Sequence, residues 1–453
     1  MKRYDSYKDS GVEWIGEVPS HWEIVRMKYL FVRSKAGIWG EEEKGNLHDI
    51  VCFRIADFDY QHGCLKFDNL TLRNIEQKQL DDHILYKTDL LIEKSGGGDS
   101  TPVGRVVRYN YDSLSVCSNF IHFVSVGNGC YYNYIYYYFN SMYSNKINML
   151  YFNQTTGIQN LKIGEYLSQR IYIPSYYEQR QIASYLDKKC GEVDKVISTQ
   201  EKRIALLQEL KQSIITHAVT KGLNHDVKMK DSGIEWIGEV PEHWVIMRVK
   251  DLLRLLTDYD ANGSFADIAK NCNINNGNPY AWMVRATDLE NNRIGIVDGN
   301  NYCDKKTYEY LSKSSLSEND ILLAKRGDIG KSYLVPFCND PMTLAPNTYL
   351  LLTDKKKVNN KCLFYYFQSY VGAEILRLLN KSTTLGALYK DDVKSINVPI
   401  APLLEQQEIA SYLDKRCAQI DASISKAQKE IELLQEYKQS LITEVVTGKR
   451  KVC

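Results

Sequence analysis

The sequence predicts an α+β protein in which two α/β domains, related by approximate two-fold symmetry, are separated by two long antiparallel coiled-coil helices. Two repeated segments, one rich in Trp and one with a helical period, predict this class. The two stretches between them have nearly equal lengths but largely different sequences. A period above 200 residues is too long for a solenoid, so the repeating units are whole domains.

Composition allows several domains and indicates neither a membrane protein nor a metal site. The 453 residues are enough to bury two or three separate cores. No long uninterrupted apolar run occurs and the N-terminus lacks a signal-peptide pattern, so we expect a cytoplasmic protein without membrane contact. The 11 cysteines include no C-x-x-C pair, which argues against zinc and against a disulfide framework.

The first repeat is the Trp-rich segment. Residues 8–30, KDSGVEWIGEVPSHWEIVRMKYL, match residues 230–252 at 17 of 23 positions. Each copy contains a histidine, His21 or His243, directly before a tryptophan. We expect both histidines to be structural, because each follows a short V-P turn at a repeated scaffold position.

The second repeat predicts the helices. Residues 178–222 and 405–449 are identical at 26 of 45 positions, and their apolar residues recur at steps of four and three. A spacing that averages 3.5 residues is typical of a coiled-coil seam. The predicted seam residues are Leu186, Val193, Ile197, Ile204, Leu207, Ile214, Leu413, Ile420, Ile424, Ile431, Leu434 and Leu441.

The ends and polar positions of these helices are also predicted. Pro174 and Pro402 precede the helices and Gly222 and Gly448 follow them, as suits helix starts and ends. Lys211 and the equivalent Lys438 occupy seam positions, and we expect them to extend to water in preference to fixing the register. The cyclic order of the repeats predicts that the two helices run antiparallel and act as a spacer of roughly 50 Å.

The repeats divide the chain into four predicted parts. Residues 1–177 and 223–404 each combine a Trp-rich segment with a variable domain, and residues 178–222 and 405–453 each contain a helix. In the variable domains, DLLIEKSGGGDSTPVGRVVRY and DILLAKRGDIGKSYLVPF predict hairpins. The Tyr-rich NYIYYYFNSMYSNKI and CLFYYFQSYVGAEIL predict helices whose tyrosines pack in the core.

A polar segment follows each Tyr-rich helix. FNQTTGIQNLK and NKSTTLGALYK combine Gln, Thr, Asn and Gly with a nearby Lys. These residue types suit contacts with phosphates and base edges. A plain capped turn before a helix is an equally good interpretation.

Enzyme motifs are absent from the sequence. GDIGKS at residues 327–332 lacks the first glycine of a phosphate-binding loop, because Lys325 stands there. GNPYAW at residues 277–282 lacks one proline of an adenine-methyltransferase motif, and no glycine-rich cofactor turn precedes it. We find no nuclease-like cluster and no Ser/His/Asp set. The sequence therefore predicts no catalytic residues and no bound metal.

The two Trp-rich segments and the two EQ…IASYLDK…LLQE…KQS helices resemble the specificity subunit of type I restriction-modification enzymes. The resemblance covers nearly the whole chain. It implies that the variable stretches are target recognition domains, each binding one half of a split double-stranded DNA sequence. It also implies that the repeats bind two methyltransferase (modification) subunits and that restriction/translocase subunits join the complex. The resemblance places S-adenosylmethionine, ATP and Mg in those partners and no cofactor in this chain.

The chemistry of the side chains, and not the resemblance, supplies candidate DNA contacts. Arg and Lys can neutralise phosphates or bind guanine, and Gln and Asn can pair with adenine. The candidates are Lys94, Arg105, Arg108, Gln154, Thr155, Thr156, Gln159 and Asn160 in the first domain, and Lys325, Arg326, Lys331, Ser382, Thr383, Thr384 and Lys390 in the second. Residues 31–170 contain 14 basic and 15 acidic residues, so any DNA-binding face there must be a local patch.

Two other function classes remain open from the sequence. One is a coiled-coil structural adaptor that binds protein and not DNA. The other is a self-contained restriction-methylation enzyme, which would need a cofactor-binding domain that these motifs do not provide. Salt-dependent binding to a duplex separates DNA recognition from the adaptor. The target bases and the length of the gap between half-sites are not encoded in any motif.

Overall fold

The computed structural model describes residues 3–98, 100–127, 129–155, 157–327, 329–380 and 386–452. The chain forms two compact units, one built from two separate stretches of sequence and the other from a single continuous stretch. Unit 1 comprises Met1–Lys202 with Ala427–Cys453, and unit 2 is Arg203–Lys426. Each long helix therefore contributes residues to both units.

Unit 1 contains the first Trp-rich segment and the first variable domain. Its strands are β1 (Tyr7–Asp9), β2 (Glu17–Pro19), β3 (Glu23–Arg26), β4 (Phe31–Ala36), β5 (Asp49–Phe53), β6 (Phe58–Asp59), β7 (Cys64–Leu65), β8 (Leu72–Asn74), β9 (Asp89–Glu93), β10 (Ser95–Gly96), β11 (Val106–Arg108), β12 (Ser115–Cys117), β13 (Ile121–Val126), β14 (Phe152–Thr155), β15 (Ile158–Leu161) and β16 (Arg170–Ile173). Its short helices are α1 (Gln77–His83), α2 (Tyr132–Ser144) and α3 (Ile163–Tyr166), and the long helix α4 (Tyr176–Lys221) begins here.

The centre of the first variable domain is an antiparallel sheet with strand order β11-β9-β13-β4. Strand β9 is buried along its whole length, because Leu90, Leu91 and Ile92 contact cores on both faces of the sheet. The hairpin predicted from DLLIEKSGGGDSTPVGRVVRY is confirmed, since β9 pairs with β11. Smaller sheets with orders β12-β5-β8 and β10-β15-β14 lie in the same domain.

The Tyr-rich helix α2 packs in the core, as its pattern predicts. Tyr134, Tyr138 and Phe139 are almost completely buried. The Tyr134 hydroxyl donates to the carbonyl of Val446, 3.1 Å away, and so ties the helix to the C-terminal stretch of unit 1. These tyrosines are structural and do not form a surface for stacking bases.

Unit 2 repeats this organisation. Its strands are β17 (Met229–Asp231), β18 (Glu239–Pro241), β19 (Val245–Arg248), β20 (Leu253–Asp258), β21 (Ala281–Val284), β22 (Asn301–Cys303), β23 (Ser315–Leu316), β24 (Ile321–Ala324), β25 (Ser332–Leu334), β26 (Met342–Leu344), β27 (Thr348–Thr353) and β28 (Asn397–Ile400). Its helices are α5 (Val249–Leu252), α6 (Phe265–Asn271), α7 (Ala286–Glu290), α8 (Lys305–Tyr310), α9 (Asn360–Gln368), α10 (Tyr370–Leu378) and α11 (Lys390–Ser395), and the long helix α12 (Leu403–Val446) begins here.

The second variable domain has the corresponding sheet, with strand order β20-β27-β24-β25. The hairpin predicted from DILLAKRGDIGKSYLVPF is confirmed as β24 paired with β25. The segment CLFYYFQSYVGAEIL, predicted as one helix, forms α9 and α10 instead. The helix breaks at Ser369, which is extended and fully buried, and whose hydroxyl accepts from the amide of Gly372 at 3.1 Å.

The long helices pack antiparallel within each unit, as predicted. In unit 1, Asp194 on α4 bonds to Lys438 on α12, and Gln200 on α4 bonds to Glu430 on α12. The residue number therefore increases along α4 while it decreases along α12, as in an antiparallel pair. In unit 2, Lys211 on α4 bonds to Asp421 on α12. All predicted seam residues are buried or partly buried, and Leu186, Ile197, Leu413 and Leu441 are less than 5% exposed.

The expectation that the seam lysines extend to water is wrong. Lys438 and Lys211 each form an ion pair with an aspartate of the opposite helix, Asp194 or Asp421. The two pairs occupy equivalent repeat positions. Each aspartate directly follows a seam residue, Val193 or Ile420, on the opposite helix. The hydrophobic pattern of one helix does not show which charged residue of the other helix will lie beside its lysine.

Each Trp-rich segment is fastened to the first turn of a long helix. In unit 1, Glu178 accepts hydrogen bonds from the Trp22 indole at 3.3 Å and from the Tyr4 hydroxyl at 2.6 Å, and lies 3.1 Å from His21. In unit 2, Glu405 contacts Trp244 at 3.1 Å and His243 at 2.8 Å. The structural role predicted for the two histidines is confirmed.

Candidate nucleic-acid interface

The hairpin loops of the two variable domains are anchored in the same way. The amide of Lys94, at the end of β9, donates to the carbonyl of Phe120 at 2.9 Å, and the amide of Lys325 donates to the carbonyl of Asn347 at 2.8 Å. The carbonyls of these lysines accept from Leu161 at 2.8 Å and from Leu388 at 3.0 Å. The same backbone frame thus occurs in both units, with a lysine and a leucine in each and with Phe120 in one where Asn347 stands in the other.

The polar segment of unit 1 forms a hairpin and is neither a plain loop nor a capped turn. Strands β14 and β15 pair so that Gln154 lies opposite Gln159. Gln154 is exposed, Thr155 is described only by its backbone, and Thr156 lies outside the described residues. The exposed Gln154 amide is available to a ligand.

Gln159 and Asn160 hold the neighbouring loop. Gln159 is 2% exposed, and its carbonyl oxygen accepts from the amide of Val103 at 3.1 Å. Asn160 accepts from the hydroxyl of Ser95 at 2.7 Å. The geometry gives both side chains a structural role, although their contact with DNA stays a prediction.

The candidate arginines of unit 1 are bonded within the protein. Arg105 donates to the buried Glu93 at 2.9 Å and stacks 3.5 Å from the ring centre of Tyr60. Arg108 bonds to Asp187 on α4 at 3.1 Å. Lys94 differs from both, because it forms no ion pair with any described residue. Lys94 is partly buried, and among the candidate cations Lys94, Arg105 and Arg108 it is the one whose charge no described carboxylate neutralises.

In unit 2, Lys325 and Lys390 share a carboxylate. Both ammonium groups lie 2.8 Å from Asp258, and Lys325 also lies 2.6 Å from Asp260. Burial would raise the pKa of Asp258, but the hydrogen bonds from the two lysines outweigh it and lower the pKa below its usual value. Burial would lower the pKa of Lys325, yet its two carboxylate bonds raise it. Lys390 is the last residue of the polar segment NKSTTLGALYK, so its bond to Asp258 ties the end of that segment to β20.

The remaining candidates of unit 2 lie on the surface or outside the described residues. Arg326 is exposed and its backbone bridges to Ala387. Lys331 is exposed and lies 2.8 Å from Glu290 at the end of α7. The candidates outside the described part of the chain are Ser382, Thr383 and Thr384.

Both variable domains contain an Arg-x-x-Asp turn that was not predicted from the sequence. Arg54 and Arg285 each follow the first strand of a small sheet, β5 or β21. The amide of each arginine donates to the aspartate three residues later, and its guanidinium bonds to that aspartate at 3.2 Å (Asp57) or 2.7 Å (Asp288). Alignment of FRIADF with VRATDL could have found this turn. The bond fixes each guanidinium while 40% of the Arg54 side chain and 31% of the Arg285 side chain stay exposed.

Beside the turn in unit 1 is an apolar cavity of about 390 Å³. Its walls include Trp39 and Phe120, with Arg54 and Asn119 as polar members. The Arg73 guanidinium stacks 4.5 Å from the Trp39 ring and, within the described residues, donates to the carbonyls of Trp39 and Gly40. Aromatic surface flanked by two guanidinium groups is a suitable binding site for an anionic ligand that has apolar parts.

Two absences hold for the part of the chain that the structure describes. No group of three or more His, Cys, Asp or Glu side chains is arranged to hold a metal ion. No helix among these residues is both long enough and apolar enough to cross a membrane.

Comparison with known proteins agrees with this arrangement. Residues 19–209 and 241–433 each match the family described as “Type I restriction modification DNA specificity domain”. The type I restriction enzyme MjaVIII specificity subunit of Methanocaldococcus jannaschii is 24% identical over 310 residues, covering 66% of this chain and 66% of that protein. The StySPI specificity subunit of Salmonella potsdam is 25% identical over 313 residues, covering 68% and 63%. The match thus spans slightly less than two-thirds of each relative's length.

A solved structure shares the fold over nearly the whole chain. A chain in the structure described as “Structural basis underlying complex assembly and conformational transition of the type I R-M system” superposes with a TM-score of 0.69 at 14% identity. The superposition covers 95% of this chain and 98% of that one. At this identity the likeness shows the fold alone, whereas the two family matches, one in each half of the chain, together cover most of the sequence. The chain belongs to the type I restriction modification DNA specificity domain family.

Proposed function

We propose that this chain is the DNA-recognition subunit of a type I restriction-modification enzyme and has no catalytic centre of its own. Each unit would bind one half of a split duplex target, and the repeated segments would bind two modification subunits. Restriction/translocase subunits would complete the complex. S-adenosylmethionine, ATP and Mg would be bound by those partners in the cytoplasm.

One observation carries this proposal. The two variable domains share a backbone frame at Lys94 and Lys325, but the frame contains Phe120 in unit 1 and Asn347 in unit 2, and the loops that follow it, SGGGDSTPVG and RGDIGK, have different sequences. A frame that repeats while its surface changes suits two binding sites for two different sequences. The same division into a constant frame and variable surface has no use in a coiled-coil adaptor that binds one protein partner.

Mapping of methylated adenines tests the proposal. The chain would be expressed with the modification subunits of its operon, and the methylated positions in the host genome would be sequenced. We expect a single split motif with a fixed gap. Replacing residues 31–170 with the matching segment of a relative should change one half of the motif and preserve the other. A folded hybrid that changes both halves, or an intact complex that methylates no defined sequence, would contradict the proposal.

A further inference from the structure

The Arg-x-x-Asp turn occupies the same place in the two variable domains. In unit 1 the amide of Ser118 donates to the last residue of β5 at 2.8 Å, and in unit 2 the amide of Ala345 donates to the last residue of β21 at 3.0 Å. Each donor lies two residues before the carbonyl that anchors the candidate hairpin lysine of its unit. Arg54 and Arg285 are therefore equivalent residues, each joined by a short turn to a hairpin that carries candidate DNA contacts.

The backbone of the turn does not need an arginine side chain. Asp57 accepts from the amide of Arg54 at 2.7 Å, and the amide of Asp57 donates to the carbonyl of Arg54 at 3.0 Å. The corresponding bonds between Arg285 and Asp288 measure 3.2 and 3.1 Å. The arginine contributes only main-chain groups to these bonds, so other residue types could form the same turn.

In unit 2 the buried aspartate does not need Arg285 for its charge either. Asp288 is completely buried and also accepts from the guanidinium of Arg293 at 3.2 Å and from the indole of Trp282 at 3.4 Å. An arginine nevertheless stands at the same place in both units. Its presence there indicates that the guanidinium has a role outside the turn.

Each of the two guanidinium groups keeps one nitrogen for an external ligand. Asp57 binds Nη2 of Arg54, and Asp288 binds Nε and Nη2 of Arg285. Within the described part of the chain, neither Nη1 atom has an acceptor, and the protein encloses neither of them. Because the aspartate already fixes the guanidinium, little side-chain entropy is lost when Nη1 binds an acceptor.

The charge around each turn favours an anion. In unit 2, Arg285 and Arg293 share the single carboxylate of Asp288. In unit 1, Arg73 stacks on the aromatic wall of the cavity beside Arg54 and forms no ion pair with any described carboxylate. Guanidinium groups bind phosphate oxygens strongly, and the apolar wall suits the deoxyribose next to a phosphate.

Resting on the function proposed above, we propose that Arg54 and Arg285 are equivalent phosphate contacts, one for each half-site, and that each donates through Nη1 to the DNA backbone. A phosphate contact positions DNA without reading its sequence, which agrees with the presence of the same arginine in both units. The neighbouring side chains differ, with Phe120 in unit 1 where Asn347 stands in unit 2, and side chains of this kind would supply the sequence preference.

The test is binding of the full-length chain to a pool of 60-base-pair duplexes of random sequence at several salt concentrations, which isolates contacts with the DNA backbone. Arg54→Ala and Arg285→Ala should each reduce the slope of log affinity against log salt by about 0.9, the value for one phosphate contact, and together by about 1.8. Arg54→Lys should keep most of the slope, because it keeps the positive charge. The control is Arg416→Ala on α12, whose guanidinium also bonds to a side chain three residues later and whose loss should leave the slope unchanged.

Further variants separate a lost contact from lost stability and from a change in net charge. Arg54→Ala combined with Asp57→Asn leaves the net charge of the chain unchanged, and the Asn side chain can still accept from the amide of residue 54. We expect the same fall of about 0.9 in the slope. Arg285→Ala leaves Asp288 paired with Arg293, so we expect that variant to fold.

Two results would overturn the inference, with melting temperatures used to confirm that each variant is folded. One is an unchanged slope in the Arg54→Ala, Asp57→Asn variant, and the other is a fall in slope for only one of the two arginines. If the unaltered chain does not bind the duplex pool even at low salt, the proposed function fails instead.

Discussion

The ammonium group of Lys438 lies 2.6 Å from the carboxylate of Asp194 and joins the end of α12 to the beginning of α4 within unit 1. Lys211 and Asp421 form the equivalent pair in unit 2 at 2.7 Å. The side chains of the first pair are 21% and 17% exposed, and those of the second are 31% and 53% exposed. Equivalent ion pairs therefore lie in unequal environments.

This difference predicts unequal stability losses. Lys438→Ala leaves a partly buried carboxylate without its partner, so we expect it to lower the free energy of unfolding by about 1–2 kcal/mol. Lys211→Ala should lower it by less than about 1 kcal/mol, because its partner Asp421 is solvated. Thermal melts would compare the two variants. Lys429→Ala on α12 is the control, since its pair with Glu432 is exposed. A larger loss at Lys211 would contradict the prediction.

The hydrogen bonds that Glu178 accepts should contribute more to the stability of the fold than its negative charge does. Glu178→Ala removes the acceptor for the Trp22 indole and the Tyr4 hydroxyl, and we expect a loss of about 1–3 kcal/mol in the free energy of unfolding. Glu178→Gln keeps an oxygen acceptor and should lose less. Melting temperatures of the two variants decide the matter. Equal losses would show that the charge, and not the acceptor, holds the segment to α4.

His122 on β13 should make stability depend on pH. Burial, with a smaller effect from the charge of Lys94, lowers the pKa of His122 from 6.5 to about 4. Between these values the unfolded chain binds a proton that the folded chain does not. This contribution is therefore fully present above about pH 6.5 and is lost as the pH falls toward 4, at up to about 1.4 kcal/mol per pH unit.

The measurement is the melting temperature at pH 7.5 and at pH 5. His122→Gln keeps a polar side chain beside Ser34, whose hydroxyl lies 2.8 Å from the imidazole, but cannot take up a proton in this range. We expect the variant to lose less stability than the unaltered chain when the pH is lowered. Identical losses would exclude His122 as the source of the dependence.

Lys325 and Arg326 are adjacent but should respond differently to alanine. Lys325→Ala leaves Asp258 and Asp260 with fewer partners, so we expect a lower melting temperature. Arg326→Ala removes an exposed side chain and should leave the melting temperature unchanged while weakening DNA binding. If Arg326 meets a phosphate, the slope of log affinity against log salt should fall by about 0.9. Unchanged affinity and slope would remove Arg326 from the interface.

The sequence alone determined the repeated architecture. The seam from Leu186 to Ile214, its counterpart from Leu413 to Leu441, and the two hairpins could be predicted because hydrophobic period is a local property of the chain. The Tyr-rich stretches could be assigned to the core for the same reason. The break at Ser369 could not, since it depends on how closely Gly372 approaches the preceding turn: a Cβ there would lie 2.0 Å from the Tyr366 carbonyl oxygen.

Only the tertiary structure decided which polar side chains face outward. Gln159 was a candidate for binding bases, but its side chain is buried and accepts a hydrogen bond from the amide of Val103, 56 residues earlier. Lys325 was a candidate phosphate contact, but in the structure its ammonium group donates to Asp258, which lies 67 residues earlier in the chain. Residue type and local spacing give the chemistry that a side chain can perform. Whether it performs that chemistry on a ligand or within the fold depends on partners brought near by folding, because a buried charge or amide must be satisfied by whatever group lies there.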